Sequence, residues 1–158
     1  MKAYINNIPH TIEKGETILE FVRRVESQNA IPTMCQDDRL ENFGSCRVCS
    51  VEVAQEKDGS TKVVASCHTP VFENAFIYHN TDKIKRLRKN IVELILTDYP
   101  SNKIFAEEGK IATSFQKTIA QIGIPDVRYP KGKTHGFLEK DLSFKANTKL
   151  CDPSKANR

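Results

Sequence analysis

The chain has 158 residues, 28% of them charged, and a formal net charge of +4. This length can form one good core, or a small domain with an appended module. Its best apolar run, IVELIL, is interrupted by Glu93, so no membrane span is predicted, and the N-terminus lacks the apolar core of a secretory signal. We therefore expect a cytoplasmic protein, whose five cysteines serve metal binding or redox chemistry and not structural disulfides.

The chain opens with the pattern of a β-hairpin followed by a helix. KAYINN and IPHTIE alternate loosely on either side of an Asn-Asn pair, which favours a tight turn. Thr17 and Glu20 form a capping box, and Ile18, Phe21, Val22 and Val25 follow on one helical face. The helix should end before Ile31-Pro32, because proline disfavours helical backbone at the residue before it.

A second pair of strands is predicted after a loop that contains cysteines. Cys49, Val51 and Val53 alternate with Ser50 and Glu52, which is typical of a half-buried strand. An Asp-Gly turn follows, and KVVAS returns as the partner strand. Two strands, a helix, a loop and a returning hairpin predict a small α+β domain.

Two apolar stripes at helical spacing predict two helices in the second half, the first ending before Tyr99 and the second at Gly123. The first stripe consists of Ile84, Leu87, Ile91, Leu94 and Ile95. The second stripe consists of Ile111, Phe115, Ile119 and Ile122. From about Asp126 the sequence is polar, and we expect it to lie extended over a surface.

These elements predict three segments: an α+β domain at residues 1–80, a helical module at 81–125 and a polar extended tail at 126–158. The first segment has an excess of acidic residues, and the other two have an excess of Lys and Arg. The basic half lacks an aromatic or glycine-rich recognition motif, so nucleic acid is not an expected partner. Its run KIKRLRK, at 83–89, is a candidate docking surface for an acidic partner, although most charge runs are solvated faces.

The spacing of four cysteines carries most of the functional information. Ten residues separate Cys35 from Cys46, two separate Cys46 from Cys49, and seventeen separate Cys49 from Cys67. A C-x2-C pair alone suits zinc, a dithiol redox site or an iron–sulfur cluster. Zinc ribbons usually have two such pairs, and dithiol oxidoreductases place theirs at the start of a helix. A long polar loop with four thiolates favours a [2Fe–2S] cluster, and zinc stays the alternative.

Gly44, two residues before the second cysteine, supports the cluster interpretation. Without a Cβ, it lets the backbone approach the inorganic sulfides closely, so that N–H groups can donate hydrogen bonds to them. Such donors stabilise the negative charge added on reduction and thereby tune the potential. His68, beside the last cysteine, is expected to be a loop residue and not a ligand, because four thiolates suffice.

The stretch IPTMCQDDRLENFGSCRVCSVEV resembles the [2Fe–2S] ferredoxin domain that opens the large iron–sulfur subunit of respiratory complex I. Similar domains open the small subunits of NAD-linked and electron-bifurcating hydrogenases and of NAD-dependent formate dehydrogenases. The family pattern is I-P-x-x-C, then F-G-x-C-R-x-C, then A-C-x-T-P, and here the last element, ASCHTP, is one residue longer.

The resemblance implies a β-grasp fold for the α+β domain and a role for each matching residue. Its cluster ligands would be Cys35, Cys46, Cys49 and Cys67. Its cluster would be surrounded by Gly44, Ser45 and Arg47.

The resemblance continues to LILTDYP, after which family members carry a histidine and three cysteines that bind a [4Fe–4S] cluster. Here Tyr99 stands at the histidine, and the cysteine positions fall near Lys103, Ala106 and Ala112. Those side chains cannot ligate iron, and only Cys151 follows, in place of further cluster motifs. We therefore expect one [2Fe–2S] cluster and no [4Fe–4S] cluster.

The resemblance implies an electron-transfer subunit of a multisubunit NAD(P)-linked flavoprotein oxidoreductase. The reactions of such complexes include electron bifurcation. The expected partner is a flavin- and NAD(P)-binding iron–sulfur subunit, which the second half of the chain would dock through its apolar stripes. No catalytic residues are evident in the chain. The alternatives are a free-standing [2Fe–2S] ferredoxin and, from another class, a zinc-stabilised interaction module.

Overall fold

The computed structural model describes residues 1–37, 39–99, 104–105, 111–123 and 125–130. Its secondary structure consists of β1 (Lys2–Ile5), β2 (Ile8–Thr11), α1 (Ile18–Val25), β3 (Ser50–Ala54), β4 (Lys62–Ala65), β5 (Phe76–Tyr78), α2 (Asp82–Asp98) and α3 (Ser114–Ile122). The strands form one sheet in the order β2-β1-β5-β3-β4. The β1–β5 pair is parallel and the other neighbours are antiparallel. This mixed sheet confirms the expected α+β class.

The opening hairpin forms as the sequence predicts. Lys2 pairs with Thr11 and Ile5 with Ile8, which leaves Asn6 and Asn7 as the turn. Both asparagines have positive φ, 49° and 68°, as a type I′ turn requires. Asparagine tolerates this left-handed conformation better than most residues, so the Asn-Asn pair fixes the register of the two strands.

Helix α1 packs its apolar face on the sheet and forms the main core. Thr17 and Glu20 make the predicted capping box, since the threonine hydroxyl accepts from the Glu20 N–H and the glutamate accepts from the Thr17 N–H. Phe21 and Val22 are fully buried, and each side chain of this kind contributes about 1.5–3 kcal/mol. Their neighbours in the core cluster include Ala3, Ile5, Ile18, Leu19, Val51, Val53 and Ile77.

Strand β3 is buried on both faces, so the prediction of a half-buried strand is wrong. All five of its residues are buried, including the polar Ser50 and Glu52. The reason is that β3 lies between β5 and β4 and also contacts α2 on its polar side. The carboxylate of Glu52 accepts hydrogen bonds from Thr61 Oγ1, Thr81 Oγ1 and Lys83 Nζ. Thr81 is the N-cap of α2, so this buried carboxylate ties the start of that helix to the sheet.

Strand β5 was not predicted from the sequence. It has three residues, too few for a periodic pattern, yet it pairs with both β1 and β3 at the centre of the sheet. Tyr4 and Phe76 stack across the β1–β5 pair with ring centroids 4.3 Å apart. Tertiary pairing with two longer neighbours, and not local preference, makes this segment a strand.

Helix α2 ends at Asp98 as predicted, but its buried face differs from the predicted stripe. The residues that are buried are Ile84, Arg88, Val92, Glu93 and Leu96. Leu94, assigned to the stripe, is 56% exposed. The helix has apolar residues on most of its circumference, so periodicity alone selected a face about one position away from the true one.

Helix α3 is shorter than predicted and packs against α2. It starts at Ser114 behind a Thr113–Gln116 capping box and ends at Gly123, whose φ is 87°. Ile111 precedes the helix and is 90% exposed, so its assignment to the second stripe is wrong. The helices bury a small second cluster that consists of Val92, Leu96 and Ile119, with Tyr99, Ile104, Phe115 and Ile122 packed on it. Helices α2 and α3 therefore cover much of each other's apolar surface, and a partner subunit is not needed to cover it.

The first residues of the predicted tail lie along α2. Arg128 makes a bidentate ion pair with the buried Glu93, with Nε–Oε1 and Nη2–Oε2 distances of 2.9 and 2.7 Å. The Arg128 N–H also donates to Glu93, and together these contacts lower the pKa of that carboxyl. The remainder of the predicted tail, with Cys151, lies outside the described residues, as do Lys103 and Ala106.

Candidate metal centre

The fold brings the four predicted cysteine ligands to one end of the sheet. Cys35 lies in the loop after α1, Cys46 and Cys49 lie in the turn that leads into β3, and Cys67 follows β4. All four are free thiols. Cys49 and Cys67 are each 1% exposed, whereas Cys35 and Cys46 are partly exposed. The site thus has a buried side and a side that is open to solvent.

The thiols are arranged as two pairs. The Cys35 and Cys46 thiols affect each other's pKa, and the Cys49 thiol acts on the pKa of Cys67, so the four side chains form two neighbouring pairs. Cys35 is also close enough to Cys67 for their charges to interact. Among the described residues, no three His, Cys, Asp or Glu side chains converge on one ion position. Two pairs fit a cluster whose two irons each take two thiolates better than they fit one tetrahedral zinc ion.

Backbone N–H groups supply hydrogen bonds to the partly exposed pair of sulfurs. Burial opposes ionisation of Cys35, but N–H groups of Cys46, Ser45 and Cys35 itself, with the Cys46 side chain, outweigh burial and lower its pKa. Burial raises the pKa of Cys46, although the N–H groups of Val48 and Cys35 donate to its sulfur. These donors are placed where they would also stabilise metal-bound thiolates.

Cys67, in the buried pair, resists ionisation. Burial, followed by the hydrogen bond and the charge of Cys49 and the charge of Cys35, raises the pKa of Cys67 to about 12. Four thiols this close cannot all ionise unless a cation offsets their repulsion, and bound metal ions deprotonate thiols outright. The donor set therefore fits an iron–sulfur cluster, which would supply that positive charge.

Gly44 brings the cysteine loop against the Cys67 turn. Its φ is +66°, which favours glycine; burial raises the pKa of the neighbouring Cys67 thiol, and the Gly44 N–H acts in the opposite direction. A Cβ at this position would lie 3.0 Å from the Ala65 Cβ and 3.6 Å from the His68 Cβ. Two features therefore favour glycine at this position: its left-handed backbone conformation and the close approach of Ala65.

Two serines fix the buried pair of cysteines relative to each other. Ser66 Oγ donates to the Cys49 carbonyl at 2.7 Å and so links the residue before Cys67 to the other member of its pair. Ser50 Oγ donates to the Arg47 carbonyl at 2.7 Å, which closes the turn between Cys46 and β3. Arg47 itself has a φ of 61° and an exposed side chain, so its backbone shapes this turn.

Helix α1 holds the Cys67 turn through its first amides. The Ile18 N–H donates to the Thr69 carbonyl at 2.9 Å, and the Leu19 N–H donates to the Ser66 carbonyl at 3.0 Å. These are N–H groups that a helix start leaves without intrahelical partners. The capped N-terminus of α1 is therefore a fixed support for the last cysteine.

The segment before Cys35 is held by two helices. Arg23 on α1 donates to Thr33 Oγ1 at 3.0 Å and to Gln36 Oε1 at 3.2 Å, on either side of the cysteine. Thr118 on α3 donates to the Thr33 carbonyl at 2.7 Å. The helical module thus contacts the cysteine loop directly.

Two further residues singled out from the sequence, His68 and Ser45, lie beside or in the cysteine loop. His68 Nδ1 hydrogen-bonds to the Asn42 carbonyl at 2.8 Å, which agrees with a loop residue that stabilises the cysteine loop. Ser45 is exposed and contributes its N–H to Cys35. The sequence did not indicate Ser66 or Arg88, because a lone serine and one arginine in a basic run have no periodic signal.

A sequence model of the family described as "2Fe-2S iron-sulfur cluster binding domain" matches residues 1–82, which include all four paired thiols. The chain belongs to this family. The cluster-binding domain therefore comprises the sheet, α1 and the cysteine loop, and the resemblance seen in the sequence is confirmed.

Two relatives are much larger proteins that contain a similar domain. The "NADH-ubiquinone oxidoreductase 75 kDa subunit" of Reclinomonas americana is 33% identical over 109 residues, covering 69% of this chain and 15% of that protein. An NADH-quinone oxidoreductase subunit of Rickettsia typhi is 29% identical over 147 residues, covering 92% of this chain and 19% of that protein. The chain thus spans less than a fifth of the length of either relative.

A solved structure shares the fold. A chain of the "NAD+-reducing [NiFe]-hydrogenase in the H2-reduced state" superposes with a TM-score of 0.63 at 18% identity, covering 82% of this chain and 51% of that one. The match extends well beyond half of this chain, and it supports the expected β-grasp arrangement of the cluster-binding domain.

We expect Gly44→Ala to impair cluster retention. The new Cβ would meet Ala65, and a non-glycine residue at this φ costs about 1–2 kcal/mol. Visible absorbance per chain and the thermal unfolding midpoint should both fall. Gly15→Ala is the matched control, because Gly15 has a φ of +84° and a Cβ added there would meet nothing within 4 Å. Equal effects of the two substitutions would show that close approach at Gly44 is unimportant.

Proposed function

We propose that the chain binds one [2Fe–2S] cluster through Cys35, Cys46, Cys49 and Cys67 and transfers single electrons within a larger NAD(P)-linked flavoprotein oxidoreductase. The observation that supports this most strongly is that four free cysteines meet at one end of the sheet as two neighbouring pairs, where backbone N–H groups act to lower the pKa of Cys35, Cys46 and Cys67 against the effect of burial. Such a site suits a compact cofactor that gains and loses negative charge.

A bound [2Fe–2S] cluster would supply the one-electron chemistry. The protein would hold it by four thiolates and stabilise their charge through the N–H groups of Gly44, Ser45, Cys46 and Val48. The buried Cys49–Cys67 pair would exclude water from one side. The partly exposed Cys35–Cys46 pair would face the redox partner, because electron transfer needs proximity and not a substrate pocket.

The residues after α2 are the basis for proposing a single cluster. Tyr99 stands where the resembling proteins have a histidine ligand, and its ring lies 4.4 Å from that of Phe115. Ala112, near one of the cysteine positions, offers no ligand atom. Apolar packing in this region supports a helical module without a [4Fe–4S] cluster.

The partner we propose is a flavin- and NAD(P)-binding iron–sulfur subunit. The two relatives are subunits of NADH oxidoreductases, and the described residues contain no helix that is long and apolar enough to cross a bilayer. The exposed face of helix α2 includes Arg86, Lys89 and Leu94, and neither Arg86 nor Lys89 makes an ion pair among the described residues. This face replaces the buried stripes as the candidate docking surface for an acidic partner. Electron bifurcation and a cytoplasmic location stay predictions.

The metal content should distinguish the cluster from zinc. We expect about two iron and two sulfide ions per chain and a red-brown protein. Replacing any of the four paired cysteines with alanine should remove a ligand and abolish or strongly reduce iron binding, whereas Cys151→Ala should leave the spectrum unchanged. Iron and sulfide analysis of the five variants is the measurement. Zinc in a colourless wild-type protein would favour the interaction module, and about four iron per chain would contradict the single cluster.

Co-purification should reveal the partner. We expect the chain, isolated from its native cell, to be accompanied by a subunit that contains flavin and binds NAD(P). The double substitution Arg86→Glu/Lys89→Glu should weaken this association in a salt-dependent way, because it reverses two exposed charges on α2. Lys57→Glu, in the exposed β3–β4 hairpin, is the control. A chain that purifies alone with its cluster would indicate the free-standing ferredoxin.

A further inference from the structure

Arg88 occupies a position in α2 that would ordinarily hold an apolar residue. It lies one helical turn from Ile84 and one from Val92, both of which are fully buried. Its own exposure is 6%. Arginine is almost never buried to this degree without a partner of opposite charge, so this position needs an explanation.

The guanidinium of Arg88 reaches the backbone on both sides of a cluster ligand. Nε donates to the Val48 carbonyl at 3.1 Å, and Nη2 donates to the Ser50 carbonyl at 2.9 Å. Cys49 is the residue between them, and its charge interacts with that of Arg88. Arg88 therefore approaches the metal centre from the helix side, behind the buried pair of thiols.

Among the residues that the structure describes, no carboxylate forms an ion pair with this buried charge. The buried carboxylates that pair with cations in this part of the chain have other partners: Glu52 with Lys83, and Glu93 with Arg128. The two carbonyl oxygens accept hydrogen bonds from Nε and Nη2 of Arg88 but do not neutralise its charge.

Burial is not enough to discharge this side chain. Burial lowers the pKa of Arg88 to about 10, and the charge of Cys49 acts in the opposite direction. The guanidinium is therefore a full positive charge at neutral pH, inside the protein and beside Cys49. A buried cation is tolerated when a neighbouring anion compensates for its lost hydration.

We propose that Arg88 is the counter-charge of the bound cluster and that it raises the cluster's reduction potential. The inference rests on the proposed function. A [2Fe–2S] cluster with four thiolate ligands is anionic when oxidised and gains one more negative charge on reduction. A fixed positive charge nearby stabilises the reduced state more than the oxidised state. Arg88 is thus a residue that acts on the cluster through its field and is not a ligand.

A purely structural role is the competing explanation, since Arg88 also joins α2 to the turn before β3. The charge can be separated from the hydrogen bonds by two substitutions. Arg88→Gln keeps an N–H donor and removes the charge, whereas Arg88→Lys keeps the charge and loses the fork of donors. Arg86→Gln removes one charge from the exposed side of the same helix and is the matched control.

The experiment is an anaerobic redox titration of the full-length, cluster-loaded chain, followed by its visible absorbance. Arg88→Gln should lower the equilibrium constant for one-electron reduction by about tenfold, which is the effect of a unit charge at ~12 Å with an effective dielectric constant near 20. For a one-electron couple this is about 59 mV. Arg88→Lys should retain most of the wild-type value, and Arg86→Gln should shift it much less than Arg88→Gln does.

The outcomes separate this inference from the proposed function. A wild-type chain without a visible cluster spectrum would overturn the proposed function itself. A wild-type chain with its cluster, and Arg88→Gln with the same potential as Arg86→Gln, would overturn the counter-charge role alone. Equal shifts in Arg88→Gln and Arg88→Lys would assign the effect to the hydrogen bonds and also overturn it. Arg88→Met, a second neutral variant with an apolar side chain, gives the same comparison if Arg88→Gln loses its cluster.

Discussion

The mutual repulsion of four closely spaced thiolates is the constraint on which the rest of this structure depends. Burial and the neighbouring cysteines raise the pKa of Cys67 at the end of the sheet to about 12. The chain compensates with backbone N–H groups, and a metal cluster would supply the positive charge that is still missing. Gly44 has a positive φ and lies where a Cβ would be 3.0 Å from that of Ala65, so glycine allows its N–H to approach the Cys67 turn.

The secondary structure acts as a frame that keeps these donors in place. The first amides of α1 hold the turn that carries Cys67, and Ser66 ties that turn to Cys49. On the other side of β3, α2 is fixed by the buried carboxylate of Glu52 and by Arg88. Helix α3 contacts the segment before Cys35 through Thr118. The helices of the second half of the chain therefore support both the cysteine loop and the side of the site behind the buried thiol pair.

Much of this arrangement could be predicted because it has local signals. The Asn-Asn turn, the Thr17–Glu20 box and the cysteine spacing each depend on residues that are close in sequence, and the resemblance to known cluster domains came from the same residues. The pairing of thiols and the full burial of β3 could not be predicted, because both depend on which elements meet in space. Arg88 was hidden in a run of basic residues, where charge patterning indicates a solvated surface.

The buried face of α2 is a further feature that could not be predicted from the sequence alone. Its sequence has apolar residues on most sides, so no single face has a dominant periodic signal. The register is decided by contacts with β3 and α3, which place Val92 and Leu96 inside and Leu94 outside. The docking surface that we propose is consequently the exposed basic face and not the predicted stripe, because apolar residues of α2 stabilise the chain itself.

If two irons share the four thiols, reduction should produce an unpaired spin, which electron paramagnetic resonance of the purified chain detects. The account predicts no signal from the oxidised protein and one unpaired electron per chain after anaerobic reduction, because a single electron enters an antiferromagnetically coupled iron pair. Loss of that signal in the Cys49→Ala variant would tie it to the buried thiol pair. A wild-type chain that stays silent on reduction, or that gives the spectrum of a four-iron cluster, would contradict the account.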